Sequence, residues 1–505
     1  MPGKETKKQT MENEFSNYIR NYEKILKGIF ENRFCDEFSV DRMLTKEELK
    51  KIMAEKPLSV AIPTEYGGRG IVVKECLAML SAASYESIAL SLTFGINIAL
   101  FLEPVAKYAQ ESIKENIFKN FLEQQQIGGL MITEPDYGSD ALNMQTWNKK
   151  IGDSYKVEGM KHWQGLTGMA DYWLITSRKK DDEGKLSRDI DIFVCEVSQE
   201  NQQIVVEEIF NNLGLKLIPY GLNKVDIIVP EENKLIPKSS GIKMMLDILH
   251  RSRLQFPGMA MGFVKRMLDE AIRHCNQRIV GGKKLIELDQ VQFQISQIQS
   301  AFTMISAMCH KSSKISGIEH DLAGEGIAAN TMKVISTDLM HHASQTLTQL
   351  SGANGFRISN IGGRGIMDSR AFQIFEGSNE MLYSQIGEMV TKLMKRKKEF
   401  NIYKFLNKYP LTDKASSFFK KEIDFSLSLG LSQRKMINLG RVFSRIIVSN
   451  HVLEMGEQGF RQDLISQCIN TVRVEISSLI GAFHADNSAI PIEDYSENSH
   501  WYDFV

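Results

Sequence analysis

Residues 371–390 read AFQIFEGSNEMLYSQIGEMV and place one carboxylate, Glu376, between a mostly apolar run and a glycine. Ser378 and Asn379 are good helix N-caps, and the residues that follow them suit a helix. A carboxylate beside apolar neighbours at a helix entrance is a candidate for proton transfer, because desolvation raises its pKa toward neutrality. The alternative is a structural glutamate that interacts with the helix dipole, which is the commoner role in such a position.

The overall composition is that of an ordinary globular protein with room for several domains. The chain has 505 residues, 43% hydrophobic and 24% charged, with a formal net charge of −1. This balance argues against a nucleic-acid partner or a general membrane-surface binder. The six cysteines lack CxxC or metal-ligand spacing, so we predict reduced, mostly structural thiols and no metal site: Cys35, Cys76, Cys195, Cys275, Cys309 and Cys468.

The first residues give no targeting signal. Residues 1–15, MPGKETKKQTMENEF, are polar and mixed in charge, without an apolar h-region or an Arg-rich amphipathic pattern. We also find no apolar run long enough to span a bilayer, and so predict no integral membrane segment. A cytoplasmic enzyme is the resulting expectation.

Hydrophobic spacing divides the chain into helical, strand-rich and helical parts. Helical spacing dominates residues 13–125 and returns from about residue 241. Between them, short apolar runs broken by turn residues predict strands at 130–132, 173–176, 190–194, 203–206 and 225–229. Their close spacing favours an antiparallel sheet or barrel over βαβ units.

We therefore predict a mainly α protein with a central β domain. The predicted domains are an N-terminal helical domain, a middle β domain, a helical bundle and an added helical extension, at residues 1–127, 128–240, 241–395 and 396–505. Within the extension, helices are expected at 415–429, 436–455 and 464–483. The glycine-rich IGGRG at 361–365 is expected to form a loop between helices.

Several segments resemble the acyl-CoA dehydrogenases, FAD enzymes that desaturate acyl-CoA thioesters. IFEGSNE at 374–380 is similar to the family segment that carries its catalytic base, and AIPTEYGGRG at 61–70 and TEPDYGSD at 133–140 match other family motifs. The resemblance covers roughly three quarters of the chain. It implies the family fold of helical bundle, β domain and four-helix bundle, and it makes Glu376 the base that removes the α-proton.

The same resemblance implies a set of FAD contacts. The loop at 133–140 would contact the flavin ring and phosphates, and Trp163 would lie against the flavin. Gln164 and Gly165 replace the Ile-Thr pair of the family, whose hydroxyl bonds the flavin. The cofactor residues implied within one subunit are Met131, Ile132, Thr133, Gly138, Ser139, Trp163, Gly165, Ser378 and Glu380.

Two further motifs imply contacts with the FAD of a neighbouring subunit. RIVGGKK at 278–284 is similar to a family loop whose arginine holds the pyrophosphate, a task that suits Arg. QLSGANGF at 349–356 matches a family segment whose backbone meets the cofactor. The residues implied are Arg278, Gln290, Gln349, Gly352 and Ala353, and such contacts imply a homodimer or homotetramer.

The substrate site departs from the family pattern. The resemblance implies substrate contacts from Ser139, His250, Arg253 and Gly377, but His250 stands where the family has an aspartate. Tyr383 stands where the family has an arginine that contacts the CoA nucleotide. These changes suggest a different thioester handle, for example an acyl carrier protein.

The function that the resemblance implies is FAD-dependent α,β-dehydrogenation of an acyl thioester in fatty-acid metabolism, with an electron-transfer flavoprotein or similar acceptor. Two alternatives remain open from the sequence. One is an acyl-CoA oxidase that uses the same base and O2. The other is a non-catalytic flavoprotein or protein-binding scaffold with the same fold.

Overall fold

Helices form the first and last parts of the chain, and one large sheet lies between them. The computed structural model describes residues 2–34, 43–428, 430–485 and 490–505, and for residues 2–13, 32, 34 and 46 it describes only the backbone. The predicted fold class, mainly α with a central β domain and further helices after the bundle, is confirmed. The predicted domain boundaries stay a prediction.

The N-terminal part packs around an apolar helix. Its six helices are α1 (Pro2–Phe34), α2 (Lys46–Ala54), α3 (Val73–Glu86), α4 (Ile88–Asn97), α5 (Glu103–Tyr108) and α6 (Glu111–Glu123). A five-residue π-helical turn joins α4 to α5, so that Ile88–Tyr108 is one continuous apolar stretch. By length and composition it could span a membrane, which our sequence reading overlooked. In the folded chain 94% of its most apolar window is buried, as in a core helix.

The sheet has seven strands in the order β1-β4-β2-β3-β7-β6, with β5 paired to β4. The strands are β1 (Gly128–Met131), β2 (Trp147–Ile151), β3 (Ser154–Gly165), β4 (Tyr172–Lys179), β5 (Asp191–Glu196), β6 (Val205–Ile209) and β7 (Tyr220–Pro230). Most pairs are antiparallel, as predicted, but β4 runs parallel to both β1 and β2. All four residues of β1 are buried, so both faces of this strand are packed in the core.

A second helical part follows the sheet and carries the stretch on which the sequence analysis opened. Its elements are α7 (Gly241–Gln277), the small hairpin β8 (Ile279–Val280) and β9 (Lys283–Lys284), α8 (Asp289–Ile315), α9 (Gly326–Ser351), α10 (Ile361–Phe372) and α11 (Asn379–Arg396). Helix α7 packs on α3, α8 and α9, and therefore joins the two helical parts.

The expectation of a loop at 361–365 was wrong, because IGGRG forms the first turns of α10. Asn360 caps this helix through hydrogen bonds from the amides of Gly362 and Gly363. A side chain at Gly362 would press on Thr348 of α9, and one at Gly365 on Ser344 of the same helix. The glycines therefore allow two helices to approach closely, and they do not mark flexibility.

The extension consists of α12 (Ile402–Leu406), α13 (Lys420–Ile423), α14 (Gln433–Gly456) and α15 (Gln462–His484). The last two confirm predicted helices, whereas the helix expected at 415–429 was wrong in its described part: only two short helical segments occur between residues 416 and 423. Residue 429 lies outside the described residues. Helix α14 packs on α11 and α8, and α15 packs on α14 and α8.

Two glycines allow α14 and α11 to meet at backbone distance. Gly440 is buried, and a Cβ there would overlap the carbonyl oxygen of Tyr383 on α11. Gly387 of α11 has the same relation to the carbonyl of Met436 on α14. The extension therefore packs at backbone distance against α11, the helix that follows Glu376.

The cysteines that the structure describes form no disulfides, as the sequence predicted. Five cysteines are free, namely Cys76, Cys195, Cys275, Cys309 and Cys468. Cys35 lies outside the described residues. Burial raises the pKa of the Cys309 thiol to about 12, so this group is a poor nucleophile near neutral pH.

Replacing Gly440 by alanine should destabilise the protein. The added methyl group must displace the α11 backbone, and overpacking of this kind costs about 1–3 kcal/mol. Gly481→Ala is the matched control, because Gly481 lies on the exposed face of α15 with open space around its Cα. That change should be neutral or stabilising by about 0.5–1 kcal/mol. Equal unfolding midpoints in denaturant for both variants would contradict the close packing.

Candidate active site

Glu376 projects into the protein from a left-handed turn between α10 and α11. Its φ is 52° and that of Gly377 is 92°, so two successive residues adopt the left-handed conformation. The hydroxyl of Ser252 on α7 donates to Oε1 at 2.9 Å. The other oxygen, Oε2, is fully buried and has no hydrogen-bond partner among the residues that the structure describes. A buried acceptor without a partner is costly, and such atoms often mark functional sites.

The surroundings of Glu376 shift its proton affinity. Burial raises the pKa of this carboxyl group, against the opposing effects of Arg253, the Ser252 hydrogen bond and Lys333. A raised pKa is the property that the proton-transfer hypothesis requires, and a glutamate in contact with solvent at the helix dipole would lack it. The role of Glu376 as a base stays a prediction.

Arg253 binds the chain itself. Its guanidinium donates to the backbone carbonyl of Glu376 at 2.7 Å and to Oδ1 of Asn330 at 2.7 Å. The side chain is buried, and its Nε has no partner within the described part of the chain. Arg253 therefore holds the turn that carries Glu376. The substrate contact predicted for Arg253 is limited to the parts of the guanidinium that these two hydrogen bonds do not use.

His250 is also turned inward. It is buried, its Nδ1 lies 2.7 Å from the carbonyl oxygen of Leu322, and burial lowers its pKa. This geometry is that of a buried histidine whose ring nitrogen is satisfied by the backbone. Its predicted substrate role has no support in these contacts.

The loop predicted to meet the flavin is fixed by a buried ion pair. Glu134 lies 3.0 Å from the ammonium of Lys161 on β3, and both side chains are almost fully buried. The backbone amides of Gln145 and Thr146 donate to the same carboxylate, and Lys161 also donates to Thr176. Burial opposes ionisation of Glu134, yet Lys161 and these amides keep its pKa below the ordinary value.

Trp163 sits on a bulge of β3 at the edge of this loop. Its φ is 61°, the pairing with β7 shifts register here, and its side chain is 53% exposed. The indole lies 4.6 Å from the ring of Phe210, centroid to centroid. The side-chain amide of Gln164 donates to the carbonyl of Thr133 at 3.0 Å, which joins the bulge to the loop.

The same end of the sheet faces Glu376 through Tyr220. Gly165 pairs with Tyr220, and a Cβ on Gly165 would come within 3.3 Å of the tyrosine ring and 3.1 Å of Ile96. Burial, and then the charge of Glu376, raise the pKa of Tyr220. The predicted flavin residues of the β domain and the predicted base therefore border one region.

The residues at the sheet end fit a bound flavin. Ser139 is exposed and Gly138 has open space around its Cα, so backbone and hydroxyl groups of the loop are accessible to a ligand. Trp163 offers a large apolar surface beside them. Two predicted contacts are more limited: Met131 is fully buried in β1, and the carbonyl of Ile132 already accepts from Lys161 at 3.2 Å.

A second set of predicted cofactor residues lies far from the first along the helices. It is exposed at the end of the bundle where α7 ends, α8 begins and α9 ends: Arg278, Gln290, Gln349, Gly352 and Ala353. At 1.5 Å per residue, Arg278 lies roughly 37 Å along α7 from Arg253. Arg253 contacts the Glu376 turn, so the second set lies far along α7 from that turn.

The first turn of α11 holds the remaining predicted residues. Ser378 caps the helix by accepting from the amide of Met381 at 3.4 Å, as expected of an N-cap. Glu380 is exposed and lies 4.0 Å from Arg441 of the extension. The cofactor contacts predicted for Ser378 and Glu380 stay predictions.

Sequence reasoning missed several residues that contact Glu376 or its turn. Ser252, Asn330 and Tyr220 act as described above, and Lys333 of α9 donates to the carbonyl of Gly377 at 2.8 Å. A signal was present for two of them, because Asn330 and Lys333 are polar residues one turn apart in an otherwise well-buried helix. Ser252 and Tyr220 carry no such local signal.

Replacing Glu134 by glutamine should destabilise the protein, because Lys161 would be left buried without a counter-charge. Breaking one side of a buried pair costs about 3–5 kcal/mol. Asp182→Asn removes the exposed partner of Lys149, an ion pair of 2.9 Å on the same sheet, and serves as the control. We expect a clear fall in the denaturant midpoint for the first variant and none for the control. Similar midpoints would mean that Lys161 is not charged in the folded state.

Known proteins match this chain over most of its length. Three family models, described as the C-terminal, middle and N-terminal domains of acyl-CoA dehydrogenase, match residues 239–391, 129–224 and 32–125. A relative named acyl-CoA dehydrogenase from Bacillus subtilis is 23% identical over 338 residues, covering 66% of this chain and 86% of the relative.

Solved structures share the fold. An acyl-CoA dehydrogenase from Bacillus anthracis, complexed with FAD, has a TM-score of 0.73 at 17% identity and covers 93% of this chain and 87% of its own. The prolyl acyl carrier protein oxidase AnaB has a TM-score of 0.66 at 16% identity, covering 75% and 98% respectively. The first of these likenesses includes most of the extension. The three matching domains confirm the resemblance seen in the sequence, and the chain belongs to the acyl-CoA dehydrogenase family, oxidoreductases that act on CH–CH groups.

Proposed function

We propose that this protein catalyses FAD-dependent α,β-dehydrogenation of an acyl thioester, with Glu376 as the base that removes the α-proton. The observation that carries the proposal is Oε2 of Glu376, a buried carboxylate oxygen with no partner within the described chain, on a group of raised pKa. An acyl α-carbon placed against this oxygen would supply the missing proton donor. A scaffold without catalytic activity would have no use for this arrangement, which is costly to bury.

The residues that would hold the FAD ring are Trp163 and the loop around Gly138 and Ser139, and bound FAD would supply an acceptor for the hydride of the substrate β-carbon. Ser252 orients the Glu376 carboxylate toward the interior. Burial keeps this carboxylate desolvated and raises its pKa. The family resemblance favours an electron-transfer flavoprotein as the acceptor of the electrons.

We further infer that two chains share each cofactor site, because Arg278, Gln349, Gly352 and Ala353 are too distant along their helices to serve the same chain. Exposed apolar side chains surround them, as expected of a contact between subunits. They are Ile279, Val280, Leu288, Phe293, Phe356 and Ile358. A homodimer is the smallest assembly that satisfies this requirement.

Glu376→Gln should keep the bound flavin and its yellow colour but lose reduction by any acyl thioester, since an amide cannot accept the α-proton. We expect at least a 1,000-fold lower rate, measured as anaerobic bleaching of the flavin absorbance against a panel of thioesters, because general-base contributions are on the order of 10²–10⁴-fold and little else can replace the base. Glu388→Gln, at an exposed glutamate of the same helix, is the control and should behave as wild type. Retained bleaching in Glu376→Gln would assign the base elsewhere.

We infer that the acyl group is presented on a carrier protein. The two positions that depart from the family pattern are committed to internal contacts: Tyr383 donates to Asp338 at 2.7 Å, and His250 contacts Leu322. Arg253 is likewise bound to Glu376 and Asn330. These side chains therefore point to internal partners and are not placed to bind the nucleotide of CoA at the surface.

The same acyl group should reduce the flavin at least tenfold faster on an acyl carrier protein than on CoA. The reason is that a carrier protein adds surface contacts that do not depend on His250 or Tyr383. The measurement is kcat/KM for matched acyl-carrier and acyl-CoA substrates, with free phosphopantetheine thioester as the reference. Equal values for carrier protein and CoA would rule the carrier proposal out while leaving dehydrogenation intact.

A further inference from the structure

Lys333 of α9 lies directly beneath the turn that carries Glu376. Its side chain is fully buried, and its ammonium donates to the carbonyl of Gly377 at 2.8 Å and to Oδ1 of Asn379 at 2.8 Å. Lysine is rarely buried in this way unless it is paired or performs a task.

The turn needs support because its backbone is unfavourable. Glu376 has a Cβ and still adopts a φ of 52°, a left-handed conformation that is unfavourable for a non-glycine residue. A Cβ on Gly377 would press on Met381 at 2.9 Å and on Leu382 at 3.1 Å, so the second position has no room for a side chain. Such a conformation persists only where the surrounding contacts hold it.

Two buried cations supply those contacts on successive peptide units. Arg253 donates to the carbonyl of Glu376 at 2.7 Å, and Lys333 donates to the carbonyl of Gly377. Hydrogen bonds from charged donors are about twice as strong as neutral ones, and burial strengthens them further. With both carbonyls fixed, the Glu376 side chain has a defined direction between them.

Lys333 is itself held by a buried network. Asn379, which accepts from Lys333, donates through its amide to Asp338 at 2.7 Å. Asp338 also accepts from the hydroxyl of Tyr383, whose ring lies 5.5 Å from the guanidinium of Arg441 in the extension. The path from the extension to the turn is therefore a continuous series of contacts.

We propose that Lys333 is a positioning residue for the base: it fixes the left-handed turn at Glu376 and Gly377, and its charge favours the ionised form of Glu376. This inference rests on the proposed function, since it assigns Lys333 to the same reaction. It adds a residue that acts through Glu376 and touches neither substrate nor cofactor.

The effect of Lys333 on the ionisation of Glu376 follows from the titratable groups that face these two residues. Around Glu376 they are Arg253 on α7, Lys333 on α9 and Tyr220 on β7, and around Lys333 they also include Asp338 and Glu380. Burial lowers the pKa of Lys333 to about 7, with Glu376 opposing that shift. Because Lys333 lowers the pKa of Glu376, removing its charge leaves the effect of burial less opposed and moves the pKa of Glu376 upward.

The test uses the flavin-loaded protein with Lys333→Met, which keeps the side-chain volume without charge or N–H donor, and Lys333→Gln, which keeps a donor without charge. Lys311→Met, at a partly exposed lysine of α8 that pairs with Glu454 of α14, is the matched control. Two readouts do not need turnover: amide hydrogen exchange of residues 373–382, and infrared titration of the Glu376 carboxyl, assigned by difference from Glu376→Gln. The third is the pH profile of flavin reduction by a thioester.

For Lys333→Met we expect at least about tenfold faster exchange at residues 373–382, with residues 386–394 unchanged. The titration of Glu376 and the acid limb of the reduction profile should both move to higher pH, because the base works only when ionised. Lys333→Gln should shift the titration like the methionine variant while slowing exchange back toward wild type. The Lys311→Met control should match wild type in all three.

Wild-type exchange and an unmoved Glu376 titration in Lys333→Met would overturn the inference. If that variant does not fold, Lys333→Gln decides by the same titration. If the wild-type flavin is not reduced by any thioester, the proposed function fails, and the exchange and infrared results still decide whether Lys333 positions Glu376. A general loss of stability, with faster exchange along all of α11 and no titration shift, would also contradict it.

Discussion

The structure depends on one constraint, which is that the charged and polar side chains buried along α7 need hydrogen-bonding partners on several other elements. Asp247 binds Lys107, and Arg251 donates to carbonyls of the segment that joins α8 to α9. Gln255 donates to both oxygens of Glu103, and Ser252 and Arg253 reach the Glu376 turn. Leaving any one of these groups unpaired would cost about 1–3 kcal/mol, so α7 fixes the N-terminal helices, the bundle and the active site in one mutual arrangement.

Much of the fold could be predicted from hydrophobic spacing alone. Long helices such as α14 and short buried strands such as β4 have clear hydrophobic patterns, and the structure confirms that both elements lie where the sequence predicted them. The prediction failed at two places. IGGRG at 361–365 forms helix because its glycines permit contact with α9, so tertiary packing overrides local preference there. The described part of the 415–429 segment forms only two short helical segments, although its spacing favoured one helix.

The candidate site likewise contains some residues that could be predicted from the sequence and others that could not. Glu376, Trp163 and the 133–140 loop could be found because their motifs are contiguous in sequence and resemble a known family. Lys333 and Ser252 could not, since each meets the turn from a separate helix and only the fold brings them together. His250 and Tyr383 stood out in the sequence as predicted departures from the family pattern. Their internal partners, Leu322 and Asp338, are distant in sequence and carry no motif.

The backbone contact between α14 and α11 limits how the extension could be transplanted. Gly440 and Gly387 each face a backbone carbonyl of the other helix, so a single methyl group at either position would separate the two helices. A chimera in which α11 is exchanged for a helix with a larger residue in place of Gly387 would therefore have mismatched surfaces. Grafting the extension onto another chain likewise requires a glycine at the matching position of the recipient helix.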